Sequence, residues 1–78
     1  MGNLPILRAR EVIAILESLG FREVRQRGSH NQFRHADGRS TTVPVHGSRD
    51  IAPALLRQIA KDVDLPPAEF ARRGARRD

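Results

Sequence analysis

Two apolar stripes at helical spacing bracket three short segments separated by turn signals, and that order leaves a 78-residue chain few ways to fold. In residues 8–19, Val12, Ile13, Leu16 and Leu19 are related by steps of three, four and seven, and Gly20 follows as a helix-ending glycine would. In residues 50–63, Leu55, Leu56, Ile59 and Val63 form a second stripe. Pro53 suits its first turn, where the missing N–H has no partner in any case, and Pro66-Pro67 stop it. Between the stripes lie residues 21–27, 30–35 and 40–45, punctuated by Gly28-Ser29 and by Asp37-Gly38, a strong hairpin signal. The pattern predicts an α+β domain of order α-β-β-β-α with a three-stranded antiparallel meander. Pro44 cannot donate to a ladder, so the third strand is an edge or ends there. A last short turn, PAEFARR, is expected to fold Phe70 back onto the core.

The length allows a single core, and both helices must bury their stripes on one face of the sheet. There is no cysteine, so disulfide staples, zinc–thiolate sites and cysteine nucleophiles drop out together. One domain is expected over residues 4–71, followed by a disordered Arg-rich tail at 72–78. Leu4–Leu7 is too short for a signal peptide and no run approaches a membrane span, so a cytoplasmic protein without membrane contact is expected.

Net charge is +5 and the isoelectric point near 11.5, but the distribution says more than the sum. Residues 21–49 hold Arg22, Arg25, Arg27, Arg34, Arg39 and Arg49 against only Glu23 and Asp37. Lys61 is the only lysine; every other cation is arginine, the side chain suited to bidentate phosphate contacts. A basic middle third points toward a polyanionic partner.

Strand parity turns this into chemistry. If Phe33 faces the core, Asn31 and His35 share its side, and His30, Gln32 and Arg34 face away. Val24 is expected in the core, sending Arg25 and Arg27 outward, and Val43 takes Thr41 and Val45 inward, leaving Thr42 and His46 outside. The outer face would then present Arg25, Arg27, His30, Gln32, Arg34, Thr42 and His46. Arginines can hold a phosphodiester and stabilise the charge of its transition state. An imidazole can take a proton from a 2′-hydroxyl or give one to a leaving 5′-oxygen. The residues alone leave His30 open to a second reading, a solvated histidine beside a turn. His35 reads as structural. There is no H-x-x-x-H pair and the carboxylates are scattered, so no metal or other cofactor is expected.

The run RQRGSHNQFRHADGRSTTVPVHG, followed by DIAPALLRQIA, resembles the HicA (YcfA-like) toxin family of prokaryotic toxin–antitoxin modules. The combination of GSH-x-x-F, V-P-x-H and I-x-P…L-x-x-I is specific, and the likeness spans roughly residues 4–71. It implies a double-stranded-RNA-binding-domain-like fold and a metal-independent mRNA interferase whose essential histidine is His30. It also implies a HicB-like antitoxin that covers the active surface and contacts operator DNA on the toxin's behalf. Gly28 and Ser29 match the motif and would set the turn that presents His30. Arg25, Arg27, Ser29, Gln32, Arg34 and His46 are the candidate RNA-binding residues. Two other readings compete: a non-catalytic RNA-binding module on the same fold, and a decayed toxin that only binds its antitoxin.

Overall fold

A computed structural model describes Leu4, residues 6–45 and residues 50–75. In chain order it comprises β1 (Leu7–Arg8), α1 (Ala9–Ser18), β2 (Arg22–Arg27), β3 (His30–Arg34), β4 (Ser40–Pro44), β5 (Asp50–Ile51), α2 (Pro53–Asp62) and α3 (Pro67–Ala75). Strands β2, β3 and β4 form an antiparallel meander with β3 in the centre. The predicted α-β-β-β-α order stands within this series.

Helix α1 starts without a side-chain cap, since Arg8 at the N-cap carries no acceptor. Half of a capping box survives: the Arg8 N–H donates to Glu11 Oε1 at 2.7 Å. The helix ends in a Schellman arrangement, with Phe21 N–H donating to Leu16 and Gly20 N–H to Glu17, each at 3.0 Å. Gly20 takes φ +97°, and a Cβ there would sit 3.0 Å from the His35 ring, so two constraints select glycine at this position. The buried stripe is Ala9, Val12, Ile15 and Leu16, with Ile13 and Leu19 only partly covered. It is turned from the expected Val12–Ile13 seam because α1 packs against β4 on one flank and α3 on the other.

The core lies beneath β3 and β4, where Phe33 and Val43 are fully buried and α1 and α2 pack against β4, with α3 packed on both helices. Thr41 is buried too, and its hydroxyl donates to Asp62 Oδ2 of α2 at 2.8 Å, while Gln58 donates to the other carboxylate oxygen. Arg39 ties the β3–β4 turn to α2 by donating to the Val63 carbonyl at that helix's end.

Val24 does not join the core. It is 54% exposed, and every residue of β2 faces solvent. The pairing slips here: Glu23 lies opposite Phe33 and Arg25 opposite Gln32, which leaves Val24 as the extra residue of a β-bulge. The buried residue on this side of the sheet is Phe21, just before β2. In an unbroken pleat Phe21 and Arg25, four residues apart, would share a face. The bulge lets Phe21 point inward and Arg25 outward.

A second small ladder pairs Leu7 with Ile51 and Arg8 with Asp50, joining the approach to α1 to the approach to α2. Helix α3 buries Phe70 as expected but is longer than a single turn. It continues to Ala75, so the segment expected to be disordered from residue 72 begins as helix. Glu69 accepts from Arg72 one turn on, with Arg73 3.9 Å from its other oxygen, which supports that extension. Residues 76–78 lie outside the described part of the chain.

Candidate nucleic-acid interface

The site is built by a two-residue hairpin loop. Arg27 pairs directly with His30 across Gly28-Ser29. Gly28 has φ +58°, and Ser29 is not among the residues with positive φ, the signature of a type II′ turn with glycine in its first central position. The loop is held against β4 by Val45, whose N–H donates to the Ser29 carbonyl at 2.5 Å. His30 is the first residue after the turn and lies between Arg27 on β2 and Pro44 on β4.

One row further along, Gln32 lies between Arg25 and Thr42. The two rows enclose a shallow depression of about 160 Å³ lined by Arg25, Arg27, His30, Gln32 and Thr42. Four of the predicted site residues are therefore gathered at one point on the outer face. Thr42, whose outward direction follows from parity but which carries no chemical motif, completes the lining.

Arg34 is not part of this depression. It shares the outer face but lies at the far end of β3, opposite Arg22, where it borders a second depression with Val24 and His35. Ser29 sits in the turn, half-buried, and does not line the depression. His46 lies outside the described residues. His35 is occupied structurally: its ring packs edge-on to Phe21 with centroids 5.2 Å apart, and its Nδ1 accepts the Asp37 N–H at 3.0 Å.

Among the described residues, none of Arg22, Arg25, Arg27 and Arg34 has a carboxylate within ion-pair distance. Arg39 contrasts with them. It is committed to Asp37, at 2.9 and 3.1 Å, and stacks 5.3 Å from the centre of the Phe21 ring. The Arg39 backbone N–H, which donates to Asp37, and the Arg39 guanidinium together hold that carboxyl below its ordinary range. Those four unpaired arginines lie on the outer sheet face. All three phenylalanines are buried and the chain has no Tyr or Trp, so that face offers no large aromatic platform for base stacking. A wider concavity, about 760 Å³, lies between β1, β5 and α1, but its Arg8 and Arg10 share it with Glu11 and Asp50, and none of its described lining residues is a histidine. Among the described residues, no three of His, Asp and Glu gather as a metal site would require. No described helix is long and apolar enough to cross a membrane.

The α+β domain thus has its core on one sheet face and unpaired arginines beside an imidazole on the other. The family model described as "HicA toxin of bacterial toxin-antitoxin" matches residues 9–65, from the start of α1 to just past α2. The chain belongs to the HicA toxin family, whose toxins pair with an antitoxin. No curated protein gives a match.

Proposed function

We propose that this toxin is an endoribonuclease that cleaves mRNA without a metal, with His30 as its proton-transfer group, and that a HicB-like antitoxin neutralises it. The observation that carries the reading is that His30 shares one depression with the unpaired Arg25 and Arg27, directly opposite Arg27 in the ladder. In the step proposed, His30 removes the proton from an RNA 2′-hydroxyl. The 2′-oxygen forms a bond to phosphorus and the bond to the 5′-oxygen breaks, leaving a 2′,3′-cyclic phosphate. In-line displacement sets the two oxygens on opposite sides of phosphorus, so one imidazole cannot touch both. The departing 5′-oxygen takes its proton from solvent, which the open depression admits. Arg25 and Arg27 offset the charge that builds on the non-bridging oxygens, and Gln32 and Thr42 offer neutral hydrogen bonds beside them.

The test is cleavage of single-stranded RNA in EDTA by wild type and His30→Ala. The variant should lose roughly 10²–10⁴-fold in rate while still binding RNA. The products should carry a cyclic or 3′-phosphate and a 5′-hydroxyl, and DNA should be inert. Activity that chelator abolishes and Mg²⁺ restores would contradict the mechanism, and an equally active His30→Ala would contradict the residue.

A further inference from the structure

The outer face is ordered in three rows across the strands: Arg27 and His30 with Pro44, Arg25 and Gln32 with Thr42, and Arg22 and Arg34 with Ser40. Successive rows are two residues apart along β3, about 6.8 Å, a step close to that of one nucleotide's backbone in an extended strand. Each row carries at least one arginine without an acidic partner among the described residues. In the third row Arg22 and Arg34 stand directly opposite each other. Two like charges so placed repel, and no carboxylate among the described residues pairs with either. Their depression is separate from that of His30 and contains the exposed Val24, pushed outward by the bulge.

We infer that the three rows form a track for an extended single-stranded polynucleotide running along β3, with one backbone phosphate per row. The scissile phosphate lies at the His30 row, and Arg22 with Arg34 clamp a phosphate two nucleotides away. Val24 gives an apolar floor to the base beside that clamp. With no Phe, Tyr or Trp on this face, grip comes mainly from backbone charge and not from base stacking. The track deepens the ribonuclease reading and names the form of substrate it takes, but its test does not depend on cleavage.

The experiment is titration of the full chain with single strands lacking the 2′-hydroxyl, of two to five nucleotides, at several salt concentrations. Each phosphate bound should steepen the dependence of log affinity on log salt by about 0.7. Raising salt fourfold then costs about 2.6-fold more affinity per phosphate. Three steps are expected, with a plateau from the fourth phosphate onward. Arg22→Ala/Arg34→Ala should stop at the second step. Arg57→Ala/Lys61→Ala, which removes the same charge from α2 on the opposite side of the sheet, should keep all three. A slope that never rises beyond one phosphate, one that keeps rising with length, or an equal loss in both double variants overturns the track. So does a result in which Arg22→Ala/Arg34→Ala weakens only the binding of an acidic protein partner. Three-step binding without cleavage of RNA would sink the ribonuclease reading alone, and single-step binding with cleavage intact would sink the track alone.

Discussion

His30 depends on a neighbour two positions back. Gly28 adopts φ +58° in open space, so a side chain there meets no clash and only the backbone conformation resists it. Gly28→Val should cost about 1–2 kcal/mol in urea unfolding and lower RNA cleavage more than stability alone explains, because the turn sets where the imidazole stands. Asp64 is the reverse case, a non-glycine residue at φ +65° that ends α2. Its N–H donates to the Lys61 carbonyl, and its negative charge sits at the unfavourable end of the helix dipole. Asp64→Gly should stabilise the protein by about 1 kcal/mol, seen as a higher urea midpoint with an unchanged slope. Asp37 gives the turn a pH dependence. Its carboxyl is held below the ordinary 3.8 by the Arg39 backbone N–H and then by the Arg39 guanidinium. The contribution is therefore complete above 3.8 and is lost as pH falls through the lower folded value. The Arg39 amide resonance should titrate with a midpoint below 3.8, and Asp37→Asn should remove that transition.

At the scale of elements, the bulge in β2 separates what the sequence shows from what it hides. Alternation around Phe33 and Val43 is readable, because a residue two steps away on a regular strand returns to the same face. The same rule applied to β2 selects Val24 for the core, and it fails because one extra residue resets parity between Phe21 and Arg25. The outward direction of Arg25 and Arg27 is still predicted correctly, since the hairpin turn fixes their register from the other end. Arg22 escapes notice for the same reason that Val24 misleads. The β1–β5 ladder is two residues long, too short to show any period, and α3 outlasts its predicted turn because its Glu–Arg pairs have no hydrophobic signature. The residues on both sides of Val24 already pair as a regular strand would if it were absent. Deleting Val24 should thus preserve the Glu23–Phe33 and Arg25–Gln32 pairs, visible as cross-strand contacts by NMR. Phe21→Ala should instead cost about 3–5 kcal/mol, because it opens a cavity in the core.

The whole molecule has little stability to spare, about 4–12 kcal/mol for a chain of this length. Phe70 lies beyond the family match at residue 65 yet is fully buried among the other helices. Phe70→Ala should cost about 3–5 kcal/mol and lower Tm by about 12 °C or more, so ending the chain after α2 would leave it largely unfolded. In the proposed reading, the same small body presents one face to two partners. Carboxylates of the proposed antitoxin would meet Arg25, Arg27 and Arg34 where RNA phosphates otherwise lie. Arg27→Glu/Arg34→Glu should then weaken antitoxin and RNA together, and the association rate with antitoxin should fall with salt. If RNA binding falls while antitoxin affinity is unchanged, the antitoxin docks elsewhere.

Because the core hangs from one side of the sheet and the free arginines from the other, the two sides share almost no side chains. Exposed residues such as Arg22, Arg25, Arg27 and Arg34 can be exchanged at little energetic cost, whereas Phe33 and Val43 cannot. Selection can therefore redraw the contact face while inheritance keeps the scaffold. When a genome duplicates such a toxin–antitoxin pair, the copies are free to drift into mutual non-recognition, each inhibitor guarding only its own toxin, with no mutation ever crossing the fold.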